Sequence, residues 1–222
     1  NEERSRKIGA CMEMIHMATL IHDDVIDNSA TRRGKETASA VYGNTGSILA
    51  GDVLLAKAMR ILAEDGDLAI IKTTSESVVE MAEGEVRELE TRLNFDLDIE
   101  EHLEILRLKT ASFIQCCCEA GGLVAGASPE ICQALREYGH HVGMAFQIVD
   151  DLLDYRGDTA KTGKPVATDF REGQATLPLI YLREKLSEQE ASVARQKFGA
   201  GVTDDEIRMI SGWMATRDAY KH

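Results

Sequence analysis

The amino-acid sequence predicts an all-α fold, and three observations predict it. Apolar residues recur at helical spacing along most of the chain, as in Ile48, Leu49, Val53, Leu54, Ala58, Ile61 and Leu62, a period that lays an apolar stripe along one helix face. The period-two alternation of a half-buried strand is hard to find. Between the periodic segments stand stretches rich in Gly, Asp, Asn, Ser and Thr, residue types that favour turns and helix caps.

In chain order, the first segment runs from the charged "NEERSRKIGA" through "CMEMIHMATLIHDDVID" and has helical periodicity without a clear N-terminal cap. Breaks then fall at "DNSATRRGKETASAVYGNTG", "AEDGD", "RLNFDLD", "GASPE", "YRGDTAKTGKPVATDFREGQ" and "GAGVTDD", which leaves roughly seven helices. Two connections are long, Asn28 to about Gly46 and Arg156 to about Gly173, and loops beyond about 12 residues in a compact domain are commonly functional. Each follows an acidic cluster directly. The last segment, "TDDEIRMISGWMATRDAYKH", stops without a C-cap signal, so a fragment of a longer chain is expected.

With 222 residues, 44% hydrophobic, and three prolines, the chain is long enough to bury a substantial core in one domain spanning 1–222. Its net charge of −13, from 25 Lys and Arg against 38 Asp and Glu, argues against tracking nucleic-acid phosphates, an affinity that comes from basic residues displacing counterions. An anion would have to be bound locally. No apolar run approaches the ~20 residues of a bilayer span, and the opening residues are too charged for a signal-peptide core. Five cysteines, Cys11, Cys116, Cys117, Cys118 and Cys132, make an odd count without CxxC spacing. They read as reduced, mostly buried small hydrophobes of a cytoplasmic protein.

The chemistry concentrates in two places. "LIHDDVIDNSATRRG" carries Asp23, Asp24 and Asp27, followed by Arg32 and Arg33, and "AFQIVDDLLDYRGD" repeats the DDxxD spacing with Asp150, Asp151 and Asp154. On a helix, residues i and i+4 are neighbours about 6 Å apart, so Asp23/Asp27 and Asp150/Asp154 each present two mutually repelling carboxylates to one side. The plain alternative is a pair of solvated acidic helix ends. Against it, each cluster interrupts a strongly apolar sequence, MIHMATLI and VGMAFQIV, where uncompensated charge is expensive. Such hard oxygen ligands suit Mg²⁺, which typically takes one or two carboxylates and fills its shell with water and phosphate oxygens. The cations Arg32, Arg33, Lys109 and Lys164 fit the same use: arginine forks match phosphate oxygens bidentately and lysine acts as a point charge. Each alone could be an ordinary surface charge; with the carboxylates they read as a diphosphate cage.

Together these residues resemble the trans-isoprenyl diphosphate synthases, of the long-chain polyprenyl type, along essentially the whole chain. The likeness is carried by "HDDVID" with "RRG", "GD" at Gly51 and Asp52, "KTA" at Lys109, "FQIVDDLLD", "GKPVATD" and "TLPLIY". The resemblance implies a helical bundle around a deep central cavity, with the two motifs facing each other across its mouth, and usually a homodimer. It implies that Asp23, Asp27 and Asp150 ligate Mg²⁺, with Asp154 joining them directly or through water and Asp24 and Asp151 in support. Arg32, Lys109, Thr110, Gln147 and Lys164 would hold an allylic diphosphate, and Arg33 isopentenyl diphosphate. The reaction implied is ionisation of the allylic C–O bond, attack of isopentenyl diphosphate on the cation, and loss of a proton. Metal and cations neutralise the departing diphosphate, and an apolar cavity protects the cation from water.

Three departures from the family pattern stand out: no upstream GKxxRP segment, no final helix, and Gln174 in "GQATLP" where the family often has Lys. His16 and His22 beside the first motif read as hydrogen-bonded structural histidines, His140 and His141 as structural, and Trp213 and the methionines as core filling. The resemblance also makes Ala18 and Thr19, before the first motif, a chain-length floor. Neither is aromatic, so a growing tail could run deeper past Ile15 and Met12 to a hexaprenyl to decaprenyl product, octaprenyl as the central value, from a farnesyl or geranylgeranyl primer. A short-chain synthase is the alternative. Two rivals are a class I terpene cyclase, which commonly lacks an intact second DDxxD, and a non-catalytic subunit of a heteromeric synthase, which usually loses the acidic motifs.

Overall fold

The computed structural model describes residues 2–156 and 166–220. The all-α expectation holds: helices α1 (Glu2–Ile26), α2 (Ala38–Asp65), α3 (Leu68–Thr91), α4 (Ile99–Leu106), α5 (Ser112–Val124), α6 (Pro129–Arg156), α7 (Thr168–Glu172), α8 (Leu177–Arg183), α9 (Glu188–Lys197) and α10 (Asp204–Thr216) account for most of these residues. A π-helical turn joins α4 to α5, and β1 (Thr31–Arg32) and β2 (Lys35–Glu36) form an antiparallel pair of two-residue strands, with Thr31 opposite Glu36. The chain forms two compact units, Asn1–Ser77 with Gln115–Gly139 and Val78–Ile114 with His140–His222.

In the first unit α1 packs against α2. Ile8, Cys11, Met12, Ile15 and Ala18 are buried on α1, spaced at the three- and four-residue steps of a single helix face. Fully burying one such large side chain contributes about 1.5–3 kcal/mol. The exposed pairs Arg6–Glu2 and Lys7–Glu3 are of a kind worth about 0–1 kcal/mol, so the stripe and not the pairs decides how α1 docks. Arg4 adds a tie from the start of α1 to Asp65 and Asp67, both at 2.8 Å.

The first long connection is shorter than the sequence suggests. Arg33 and Gly34 have φ of 52° and 74°, and positive φ at both central residues is the turn that suits a two-residue hairpin loop. The hairpin leads straight to Thr37, whose hydroxyl accepts from the Ala40 N–H at 3.2 Å, so α2 is capped from Ala38 instead of starting near Gly46. Gly43, with φ 77° and ψ 161°, interrupts α2 in a region essentially closed to residues with a Cβ. The run "YGNTG" marks that kink and not a loop.

The second unit is held by α7 to α10 around Phe95, Tyr155, Phe170, Leu179, Phe198 and Met214. Phe198 receives Phe95 and Phe170 edge-to-face, with ring centroids 5.6 and 5.4 Å away. The segment between the breaks ending at Gln174 and beginning at Gly199 holds two helices, because Ser187 and Glu190 form a capping box that starts α9 afresh. Thr203 and Glu206 form another at α10. Between α4 and α5 the chain stays helical but widens to a π-helical turn, Arg107–Ala111, a distortion found often at functional sites.

All five cysteines are free thiols; burial pushes the Cys11 and Cys116 thiols up to about 11 and Cys117 to about 12. Among the described residues, no helix is long and apolar enough to cross a membrane.

Candidate active site: two aspartate motifs and their supports

The first motif sits at the end of α1, where helical phase divides its three carboxylates. Asp24 turns inward, 5% exposed, and its Oδ1 accepts from Arg32 Nε at 2.8 Å. Asp23 is half-buried and Asp27 exposed. Asp27 lies one residue beyond the helix but keeps its register, its N–H donating to the Asp23 carbonyl at 2.8 Å. Arg33, at the tip of the hairpin, is exposed.

His22, next to the motif, is the hydrogen-bonded structural histidine expected from the sequence. Its Nε2 lies 3.1 Å from the Ile48 carbonyl and 3.5 Å from Asp52 Oδ1. A Cβ at position 51 would stand 2.3 Å from that nitrogen. Gly51 therefore allows the imidazole to cross α2, and Asp52 meets it there: the "GD" pair serves the histidine.

The second motif, near the end of α6, is divided in the same way. Asp151 is 4% exposed, and its Oδ2 accepts from His102 Nε2 at 2.7 Å. Asp150 is exposed and Asp154 half-buried. Asp154 has a further use that the sequence did not signal: its two oxygens accept from the Thr168 and Asp169 N–H groups, both at 3.1 Å. It thereby caps α7, which has no side-chain cap of its own. Asp169 joins this cluster, and burial, followed by the nearby Asp154, Asp151 and Asp150, pushes its carboxyl well above the usual carboxylate range.

Lys109 and Thr110 lie in the π-helical turn. Lys109 Nζ reaches Glu88 at 2.6 Å and Glu85 at 2.9 Å. Burial opposes its charge, but the two carboxylates outweigh burial and hold its pKa above the ordinary lysine value. The turn is close to α3, since a Cβ on Gly84 would lie 2.8 Å from the Lys109 backbone nitrogen. Thr110 Oγ1 donates to Gln147 Oε1 at 3.1 Å, which brings these two substrate candidates together. Gln174 Nε2 donates to Glu88 Oε1 at 3.3 Å, so its amide supports the acid that holds Lys109. A small cleft beside these groups is lined by Glu88, His102, Ile105, Gln174 and Thr176 among others.

Ala18 and Ile15 are buried at 3% and 0% exposure on the α1 stripe. Thr19 is half-buried and turns its hydroxyl back to the His16 carbonyl at 2.8 Å. Lys164 lies outside the described residues. The sequence reading passed over His102, Glu85, Glu88 and Asp169. Helical spacing offered a weak signal for the glutamates, three apart in "EGEVRELE", but a histidine 49 residues from its aspartate leaves none.

Among the described residues, no group of three or more His, Cys, Asp and Glu side chains gathers into a metal site. The donor set nonetheless fits Mg²⁺, which is held by one or two carboxylates and otherwise by water and phosphate. Each motif commits its middle aspartate to a basic partner and leaves its two flanking aspartates less buried, Asp154 while also capping α7.

A family model described as polyprenyl synthetase matches residues 1–210. The octaprenyl diphosphate synthase of Escherichia coli K12 is 39% identical over 194 residues, 87% of this chain and 60% of that protein. Heptaprenyl diphosphate synthase component 2 of Geobacillus stearothermophilus is 35% identical over 217 residues, 98% of this chain and 67% of that protein. Among solved structures, a polyprenyl synthase from Caulobacter crescentus CB15, complexed with calcium and isoprenyl diphosphate, superposes with a TM-score of 0.90 at 37% identity, covering 97% of this chain and 66% of that one. The chain thus spans 60% to 67% of the length of these curated relatives. On the family match and these likenesses together, the chain belongs to the polyprenyl synthetase family.

Proposed function

We propose that this chain carries the catalytic machinery of a trans-polyprenyl diphosphate synthase, which condenses isopentenyl diphosphate head-to-tail onto an allylic diphosphate. The observation that carries the reading is the shared division of the two DDxxD motifs. A solvated acidic helix end has no need of a buried middle carboxylate fixed by a basic partner; a pair of outer carboxylates that must hold a set geometry does. Mg²⁺ is the metal we assign to those pairs, Asp23 with Asp27 and Asp150 with Asp154, and when bound it would neutralise charge on the departing diphosphate. A divalent metal is typical of prenyl diphosphate synthases, and a structural relative is described with calcium and isoprenyl diphosphate.

The chain's own residues would do the rest. Arg32, already oriented by Asp24, and Lys109, charged and steadied by Glu85 and Glu88, supply positive charge to the allylic diphosphate, with Thr110, Gln147 and Lys164 as further contacts. Arg33 takes isopentenyl diphosphate. Apolar helices keep water from the allylic cation, and no protein nucleophile is needed. We further propose a single catalytic domain, a cytoplasmic location and a homodimer.

A long product, in the hexaprenyl to decaprenyl range, is supported by relatives named for octaprenyl, heptaprenyl and nonaprenyl products. A short-chain isoprenyl diphosphate synthase at 39% identity keeps the short-chain alternative in view. One relative is named as component 2 of its synthase, which favours, as a second reading, a catalytic subunit that works with a different partner chain. The test is incubation with farnesyl and isopentenyl diphosphates and Mg²⁺, followed by sizing of the products. Chain-elongated polyprenyl diphosphate is the expected result. No product from the folded protein, alone or with a candidate partner chain, would refute the assignment.

A further inference from the structure

We infer that His102 is a positioning residue for the second aspartate motif: by fixing the buried Asp151 carboxylate it sets where Asp150 and Asp154 present theirs. The inference rests on the proposed function only in giving those two carboxylates a metal to hold.

The argument begins with one face of α6. Gly143, Gln147 and Asp151 recur every fourth residue, so they lie along a single line of the helix. Each meets the segment formed by α4 and the π-helical turn. A Cβ on Gly143 would stand 2.5 Å from Ala111 Cα, Gln147 accepts from Thr110, and Asp151 accepts from His102. The first of these contacts is a close backbone approach, the second a hydrogen bond between half-buried groups. The third joins two side chains that are 5% and 4% exposed, and it lies nearest the motif.

Among the described residues, Asp151 has little else to hold it. The further contact on the same oxygen is a long one, 3.5 Å from the Leu177 N–H. Without His102 the carboxylate would be left almost unpaired in a buried setting, which is costly enough to move it toward water or other donors. Asp150 precedes it directly, and Asp154, less than a turn on, holds the α7 N-terminus through both oxygens. A shift at Asp151 is therefore passed to the exposed Asp150 and to Asp154 with the α7 N-terminus it holds. His102 also stands seven residues before Lys109 on one nearly continuous helical run, so the same contact ties the position of the lysine to that of the motif. A histidine that only filled space would be replaceable by an apolar side chain of similar size.

The experiment compares the protein with His102→Leu and His102→Gln, the latter placing an amide N–H near the position of Nε2. Mn²⁺ binding in the presence of inorganic pyrophosphate is followed by electron paramagnetic resonance, alongside kcat, KM and thermal melting. His102→Leu is expected to weaken Mn²⁺ binding and lower kcat by about 10- to 100-fold, the range for supports of metal ligands, with little change in KM for isopentenyl diphosphate. His102→Gln is expected to recover most of both. Unchanged Mn²⁺ binding and turnover in folded His102→Leu would overturn the inference, as would a glutamine variant impaired as badly as leucine. If the leucine variant does not fold, the glutamine variant decides alone: Mn²⁺ binding near that of the unaltered protein supports the inference and a 10-fold or greater loss overturns it. Asp150→Ala separates this from the parent reading, because normal turnover there would defeat the synthase assignment whatever His102 does.

Discussion

Asp24 is held by an arginine eight residues further along the chain, whereas Asp151 is held by a histidine 49 residues earlier. The spacing of acids is the same in both motifs, and each buries its middle carboxylate against a basic partner. The anchors differ in kind. Arg32 belongs to the hairpin that follows its motif and remains 37% exposed in its side chain, so water shares in solvating it. His102 comes from a separate helix and is buried with its partner. A repeated motif can therefore present one chemical face while being built once by local chain geometry and once by tertiary packing.

The largest effect should show the motifs as equals. Asp23→Ala and Asp150→Ala are each expected to lower kcat by about 10²–10³-fold or more, the loss of a fixed electrostatic contribution to the departing charge, while circular dichroism stays helical. Chelation of divalent metal should abolish turnover in the unaltered protein, restored by Mg²⁺. A large loss at one position and none at the other would break the parallel.

The middle aspartates should separate the motifs by stability. Asp151→Ala leaves a buried histidine without its partner, a loss of about 1–3 kcal/mol, which for a chain of this size lowers Tm by roughly 2–4 °C per kcal/mol. Asp24→Ala strands an arginine that water can reach, so about 0–1 kcal/mol is expected. Equal shifts in thermal melting would remove the distinction between local and tertiary anchoring.

Next in size is a split in substrate affinity confined to the first motif. Arg32→Ala should raise KM mainly for the allylic diphosphate and Arg33→Ala mainly for isopentenyl diphosphate, each through loss of a charge-assisted contact. Identical effects on both constants would reject the division of labour. Ala18→Phe tests the stripe that leads up to the same motif. Because Ala18 is buried, overpacking costs about 1–3 kcal/mol, so products are to be compared only at a temperature where the variant is folded. A shift toward shorter prenyl chains supports a chain-length role, and an unchanged long-chain distribution rejects it.

The smallest effect concerns the helices after the second motif. Partners at Lys197 and Thr203 lower the Glu206 carboxyl from 4.5 to about 2, and Arg217 and Ser187 do the same for Glu190. A carboxyl depressed in the folded state adds stability that is fully present above about pH 4.5 and is lost as pH falls toward 2. Melting temperature should therefore decline across that window, and Glu206→Gln should flatten the decline slightly. An unchanged acid profile in that variant would show that the capping box contributes nothing through its charge.

How far the sequence reaches can be judged at single residues. The α1 stripe from Ile8 to Ala18 and the pairing of Asp23 with Asp27 follow from spacing within a turn or two of helix, where geometry is fixed by the backbone itself. The kink at Gly43 was written in the sequence but read as a loop, because a glycine with positive φ serves a helix interruption and a turn equally well. The start of α2 at Ala38 is hidden for a different reason: the hairpin before it, only two residues a side, is too short to leave an alternating pattern.

The sequence by itself determined that the fold is helical, where the two acidic clusters stand, and which of their carboxylates share a face. Each of these is set by residues within about four positions of one another, the reach of helical periodicity. Only the tertiary structure decided that Asp151 belongs to His102, that Lys109 belongs to Glu85 and Glu88, and that Asp154 caps α7. Those contacts join elements 14 to 49 residues apart, beyond the reach of helical periodicity, and their partners are chosen by which faces pack together, a choice that the burial of apolar stripes makes and that no local spacing records.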